Sequence, residues 1–268
     1  MRLQDKAAII TGAAQGFGLA IALGYAREGA ELYLHEFEEN SDKLEQVAQQ
    51  VRDETGQRVE TGLYDVTSGQ AVAEMTKDVL DRFGRIDILM NTTSGGWHGR
   101  IFDCTEADYD KAIDRGQKAY FLTCQAVGKE MARVGHGKII NITSIVGKLG
   151  PGGAIPWAAA RGGVDSMTAG FAQALGEYGV HCTALARGAT SQRDLNHDYK
   201  PKDIEERLRK LPFGRLGTVE DLVGPAIFLA SEDSNWITGS VVYADGGYTV
   251  VAAFDDEYRA TEVPYRGP

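Results

Sequence analysis

A chain of 268 residues with 43% hydrophobic residues is long enough to bury one sizeable core. Its formal net charge of −10 argues against nucleic acid or an anionic membrane surface as a partner. No apolar run reaches membrane-spanning length, and the first strand begins within a few residues of Met1, so no signal peptide is expected and the chain reads as cytoplasmic. Cys104, Cys124 and Cys182 fit no metal spacing and read as ordinary thiols of a reducing compartment, and no metal is expected.

The N-terminal stretch carries the first chemical signal. An apolar run, AAII, leads into Thr11 and a turn with Gly12, Gly16 and Gly18 around Gln15 and Phe17. A helical pattern follows, with Leu19, Ala22, Leu23 and Ala26 on one face. Strand, glycine turn and helix can hold a pyrophosphate on free N–H groups at the positive end of a helix. A turn that holds no ligand is the other reading, since the spacing is G-x-x-x-G-x-G, not the commoner G-x-G-x-x-G. The second run, ELYLHE, ends on Glu36. A carboxylate there accepts both hydroxyls of an adenosine ribose and repels a 2′-phosphate. No Arg or Lys stands at 13–17 or 37–39, so the stretch reads as a dinucleotide site for NAD rather than NADP.

Asn40 or Ser41 caps a helix through about Glu54, and Arg58–Tyr64 reads as a third strand closed by Asp65, Val66 and Thr67. Asp65 either meets an adenine amino group or caps the next helix, Gln70–Phe83. Arg85–Asn91 is a fourth strand, followed by the loop TTSGGWHG with His98. Thr105 and Glu106 begin a long helical region to about Val134, and Lys138–Ser144 is a fifth strand. Ile155–Tyr178 is a helix dense in Ala and Gly, able to lie against another backbone, including that of a second subunit. Val180–Ala186 is a sixth strand. Residues 187–212 are polar and irregular around PKDIEERLRKL and suit a lid over a cleft. A helix over Thr218–Ala230 and a strand over Gly239–Asp245 complete the pattern. Strands alternating with helices predict an α/β fold with a doubly wound parallel sheet in one domain, 1–251, followed by a tail, 252–268. Ligands are expected at the carboxyl ends of the strands, where Gly12, Glu36, Asp65, Asn91 and Ser144 all fall.

Taken together, these stretches resemble the short-chain dehydrogenase/reductase family over nearly the whole chain. The matching residues are Thr11–Gly18, Asp65-Val66-Thr67, Asn141–Ser144, and Ile237–Ser240 with Asp245-Gly246-Gly247. The resemblance implies a Rossmann-like fold, a nicotinamide cofactor, and dimers or tetramers packed through the small-residue helix. It assigns Gly12, Gln15, Gly16, Phe17, Gly18, Glu36, Asp65, Val66, Asn91, Arg161 and Gly188 to the cofactor. The family's chemistry rests on an Asn, a Ser, and a Tyr followed four residues later by a Lys. Here Ser144 matches, but the Tyr position holds Trp157, the Lys position Arg161 and the Asn position Gly116. Indole N–H only donates, so Trp157 cannot shuttle a proton. No tyrosine lies between Tyr120 and Tyr178, so no shift of register restores the motif. The family's Asn-Asn-Ala-Gly reads Asn91-Thr92-Thr93-Ser94, adding side chains where the backbone approaches the adenosine ribose. Its Pro-Gly reads Arg187-Gly188. Arg161 and Arg187 are expected in the cleft, able to hold an anion such as a carboxylate, and Arg100 and Arg193 at the solvated surface.

Three functions follow. The first is a non-catalytic or weakly active NAD-binding subunit, in a homo- or hetero-oligomer with an active paralogue. The second is an NAD-dependent oxidoreductase on an alcohol or ketone, with His98 as substitute acid or base. The third is a lyase or isomerase in an arginine-lined pocket.

Overall fold

The computed structural model describes residues 1–14, 16–190 and 201–250. Among these, seven strands form one parallel sheet: β1 (Ala7–Thr11), β2 (Glu31–Glu36), β3 (Val59–Leu63), β4 (Ile88–Asn91), β5 (Gly137–Ser144), β6 (Val180–Arg187) and β7 (Val241–Ala244). Their spatial order is β3-β2-β1-β4-β5-β6-β7. The order reverses between β1 and β4, and such a switch point opens a crevice at the carboxyl ends of the strands. The register sets Thr11 beside Asn91, Asn91 beside Asn141, and Ser144 beside Arg187, so the expected site residues share one edge.

Helices cover both faces because successive strand residues point to opposite sides. Ile10, Leu34, Met90, Ile142 and Leu185 pack with Ile21 and Tyr25 of α1 (Phe17–Arg27) and Ala226 of α9 (Glu220–Ala230). Ile9, Leu89, Ile139 and Cys182 pack with Val72 and Met75 of α3 (Gly69–Phe83) and Val127 and Met131 of α5 (Ala119–Val134). No helix among the described residues is long and apolar enough to cross a membrane.

Several expected elements differ locally. Asn40 ends a short 3-10 turn and makes no side-chain cap to α2 (Ser41–Thr55). The long region after Thr105 is broken into α4 (Glu106–Ile113), a π-turn (Asp114–Lys118) and α5. Thr105 and Asp108 form a reciprocal capping box at its start. A short helix unforeseen from the pattern, α6 (Ile145–Leu149), springs directly from Ser144, and α7 (Ile155–Gly176) follows. Of the expected lid, α8 (Pro201–Leu208) is present. Gln15, Arg193 and the tail, 252–268, lie outside the described residues.

Candidate active site

The glycine turn is built for close approach. Gly12 and Gly16 sit at φ of +69° and +56°, where side chains are strained. A Cβ on Gly18 would lie 2.4 Å from the Gly12 carbonyl oxygen, so only glycine lets α1 start there. The first turn of α1 carries no side-chain cap and no acidic residue, leaving its N–H groups to an outside acceptor. This geometry fits the pyrophosphate of a dinucleotide. At the tip of β2, Glu36 is buried, with Oε2 accepting from the Ala14 N–H at 3.3 Å and Oε1 from the Phe37 N–H at 3.0 Å. Its carboxylate is thereby held beside the turn.

Asp65 is exposed beyond β3, and Val66 behind it is buried. The Thr67 hydroxyl and N–H donate to Asp65 Oδ1 at 2.7 and 3.0 Å. The hydroxyl bond is the main reason its carboxyl titrates below the ordinary range. Asp65 therefore does not cap α3; Ser68 does, accepting from the Ala71 N–H at 3.5 Å. One cation that a scan of neighbouring positions misses is Arg115. The π-turn carries it over the Phe37 ring, 4.1 Å from the centroid, and to Glu39 at 2.7 Å. No local signal predicts this, because the partners are more than seventy residues apart in the chain.

Deeper in, the structure shows what holds two of the expected residues. The Asn91 side chain is engaged within the protein. Its Oδ1 accepts from Thr123 at 2.9 Å and Thr11 at 3.3 Å, and its Nδ2 donates to Asn141 Oδ1 at 2.9 Å. This buried network ties β1, β4 and β5 to α5. The added hydroxyls beside it also turn inward: Thr92 Oγ1 donates to the Thr11 carbonyl at 2.6 Å, and Thr93 Oγ1 to that of Arg115 at 3.0 Å. Arg161, expected in the cleft, is 3% exposed. Its Nη2 donates to the Thr93 carbonyl at 2.9 Å, and its Nη1 to those of Ile142 at 3.1 Å and Gly116 at 3.4 Å. Among the described residues no carboxylate pairs with it; the Tyr120 ring lies 5.2 Å from its guanidinium carbon instead. The Tyr120 hydroxyl donates to the same Thr93 and Ile142 carbonyls, at 3.1 and 3.0 Å. The fork of the guanidinium explains the placement, since it can span carbonyls of three segments where an ammonium is a point donor. Gly116 allows the close packing: a Cβ there would lie 3.2 Å from the Cβ of Ala160.

At the ends of β5 and β6, Ser144 stands beside Arg187 in register, Arg187 meets Trp157, and Trp157 meets His98. Ser144 is buried at the end of β5; its Oγ accepts from the Val146 N–H at 3.4 Å, leaving the hydroxyl proton to donate elsewhere. Arg187, its register neighbour, places its guanidinium carbon 5.1 Å from the ring centroids of both Phe17 and Trp157. It thus bridges the glycine turn and the start of α7 by two cation–π contacts. The exposed His98 ring meets Trp157 edge-on, centroids 4.9 Å apart at 69°. Trp157 is 7% exposed, and its Nε1 is buried with no hydrogen-bond partner among the described residues. An unpartnered buried donor costs about 1–3 kcal/mol. Gly188 packs so tightly on Asp245 that a Cβ would come within 2.6 Å of its Cα. Arg100 lies at the surface, as expected, 3.9 Å from Asp103.

Comparison with known proteins supplies the family. The profile described as Enoyl-(Acyl carrier protein) reductase matches residues 12–249. A (2S)-((R)-hydroxy(phenyl)methyl)succinyl-CoA dehydrogenase subunit of Thauera aromatica is 34% identical over 94% of this chain and 100% of its own. Gluconate 5-dehydrogenase of Gluconobacter oxydans is 34% identical over 92% of this chain and 96% of its own. A crystal structure of a gluconate 5-dehydrogenase from Burkholderia cenocepacia, in complex with NADP and tartrate, superposes with a TM-score of 0.87 at 32% identity, covering 94% and 98% of the two chains. These relatives are named as dehydrogenases, which overturns the expectation of a non-catalytic subunit. Glycine turn, strand order and full-length similarity agree, and the chain belongs to the short-chain dehydrogenase/reductase family.

Proposed function

We propose that the protein is an NAD-dependent oxidoreductase that interconverts an alcohol and a ketone on a carboxylate-bearing substrate, with His98 transferring the proton. The observation that carries this reading is the His98 ring set against Trp157. Contact with the residue that stands where the family uses a phenol makes this titratable side chain the candidate proton carrier. Ser144 orients the substrate oxygen through its free hydroxyl proton. Arg187 holds the carboxylate, its planar fork matching two oxygens. A dinucleotide with its pyrophosphate at the start of α1 would supply or take up the hydride through its nicotinamide. Glu36 favours NAD, since its carboxylate repels a 2′-phosphate, and Arg115 is already paired with Glu39. The gluconate named in two of the relatives is itself a carboxylate, which supports an anionic substrate. The arginine-lined pocket of a lyase or isomerase has less support, because Arg161 faces main-chain carbonyls.

The test is NADH oxidation by the purified protein across 3-, 4- and 5-oxo acids and their uncharged ketone counterparts. Turnover is expected with the acids, and a loss of roughly 10²–10⁴-fold in His98→Ala. Unchanged turnover in that variant, or none with any oxo acid, would overturn the proposal.

A further inference from the structure

The geometry points to Trp157 as a catalytic hydrogen-bond donor: its indole N–H, with the Ser144 hydroxyl, cradles the substrate oxygen as negative charge develops on it. This rests on the oxidoreductase reading and goes beyond it, since the family position is normally a proton carrier and this residue cannot be one.

The starting observation is that Trp157 Nε1 is sealed from solvent without an acceptor. Buried donors almost always find a partner, so an orphan at the reactive end calls for an acceptor that arrives later. Its surroundings say which acceptor. Ser144 neighbours Arg187 in register, and the Arg187 guanidinium lies on the Trp157 ring, so the cation connects the two donors. His98 lies on the same ring, and the Gly96 backbone backs it, with a Cβ there only 3.8 Å from Cδ2. Arg187 and His98 both lie against the indole. A substrate carboxylate held by Arg187 therefore brings the rest of the substrate to this ring.

The chemistry then balances. As hydride adds to the carbonyl carbon, the C=O π pair moves onto oxygen. The resulting alkoxide accepts hydrogen bonds from Trp157 Nε1–H and Ser144 Oγ–H. Protonated His98 gives its proton to that oxygen and becomes neutral. The indole keeps its proton throughout, so it stabilises charge without titrating, as preorganised donors do.

The test uses two readouts. The chain holds three tryptophans, so ¹⁵N-labelled protein gives three indole N–H resonances, and Trp157→Phe assigns the one of interest. Adding NAD⁺ with levulinate, a pair that cannot react, should move the Trp157 resonance downfield while Trp97 and Trp236 stay within a small shift. In turnover with NADH, Trp157→Phe keeps the ring and loses the donor. Its kcat should fall roughly 10²–10³-fold with little change in KM and an unshifted pH profile. His98→Ala should reshape that profile. A wild-type near-UV circular dichroism spectrum and melting temperature in Trp157→Phe guard against misfolding. Wild-type kcat in Trp157→Phe, or an unmoved resonance in a protein that does turn over, would overturn the donor role and leave the oxidoreductase reading intact. A moved resonance without turnover of any oxo acid would overturn the oxidoreductase reading and, with it, the catalytic role. An unmoved resonance without turnover would overturn both.

Discussion

Replacing Arg161 by Lys, the residue that usually stands there in the family, should destabilise this protein. The guanidinium joins three main-chain carbonyls from three segments: Thr93 after β4, Ile142 in β5 and Gly116 in the π-turn. A single ammonium cannot reproduce that span. Losing two hydrogen bonds to a charged donor removes about 3–6 kcal/mol gross, at about 1.5–3 kcal/mol each. Part of this returns, because Tyr120 still donates to the Thr93 and Ile142 carbonyls. A net loss of about 2–3 kcal/mol is expected, which for a chain of this size lowers Tm by about 4–12 °C. Calorimetric melts of Arg161→Lys and wild type without nucleotide measure it. NAD affinity, by titration calorimetry, should change little, since three main-chain carbonyls already hold the guanidinium. A variant that melts at or above wild type, or one that loses NAD affinity more than tenfold at unchanged Tm, would refute the clamp. Tyr120→Phe combined with Arg161→Lys should cost more than the two single changes added, because each partner backs up the other at the shared carbonyls.

Three further outcomes are expected. His35 is fully buried, with Nε2 at 2.9 Å from the Tyr64 carbonyl oxygen and Nδ1 unpartnered, and burial lowers its pKa from 6.5 to about 4. The unfolded chain therefore binds this proton first as pH falls. Stability should drop by roughly 3 kcal/mol between pH 6.5 and 4, and urea titrations of His35→Gln should show a shallower slope in that window. Gly18→Ala would push a methyl against the Gly12 carbonyl oxygen, and fluorescence titration should show NADH affinity lowered at least about tenfold. Glu36→Gln removes the charge that repels a 2′-phosphate, so the ratio of NADP to NAD affinity should rise about tenfold; an unchanged ratio would show that Glu36 does not select the nucleotide.

The chain's own order of residues was enough to foresee the sheet and its polarity. Short apolar runs alternating with helical patterns leave few topologies, and right-handed crossovers reduce them further. The glycine turn was legible for a similar reason, because positive φ at Gly12 and Gly16 and a 2.4 Å approach at Gly18 favour glycine over any other residue type. The substitutions at Gly116, Trp157 and Arg161 could be read by counting alone. Their physical meaning could not. Arg161 can be buried only because three carbonyls from distant segments converge on it, and that convergence exists only in the folded chain. Asn91 withdraws into the strand network for the same reason, and Arg115 reaches Glu39 through a π-turn that no periodicity announces. Local pattern decides which backbone a segment adopts. Which polar groups meet is decided by packing, since each buried donor settles on whatever acceptor the assembled core brings within reach, and at Trp157 the core brings none.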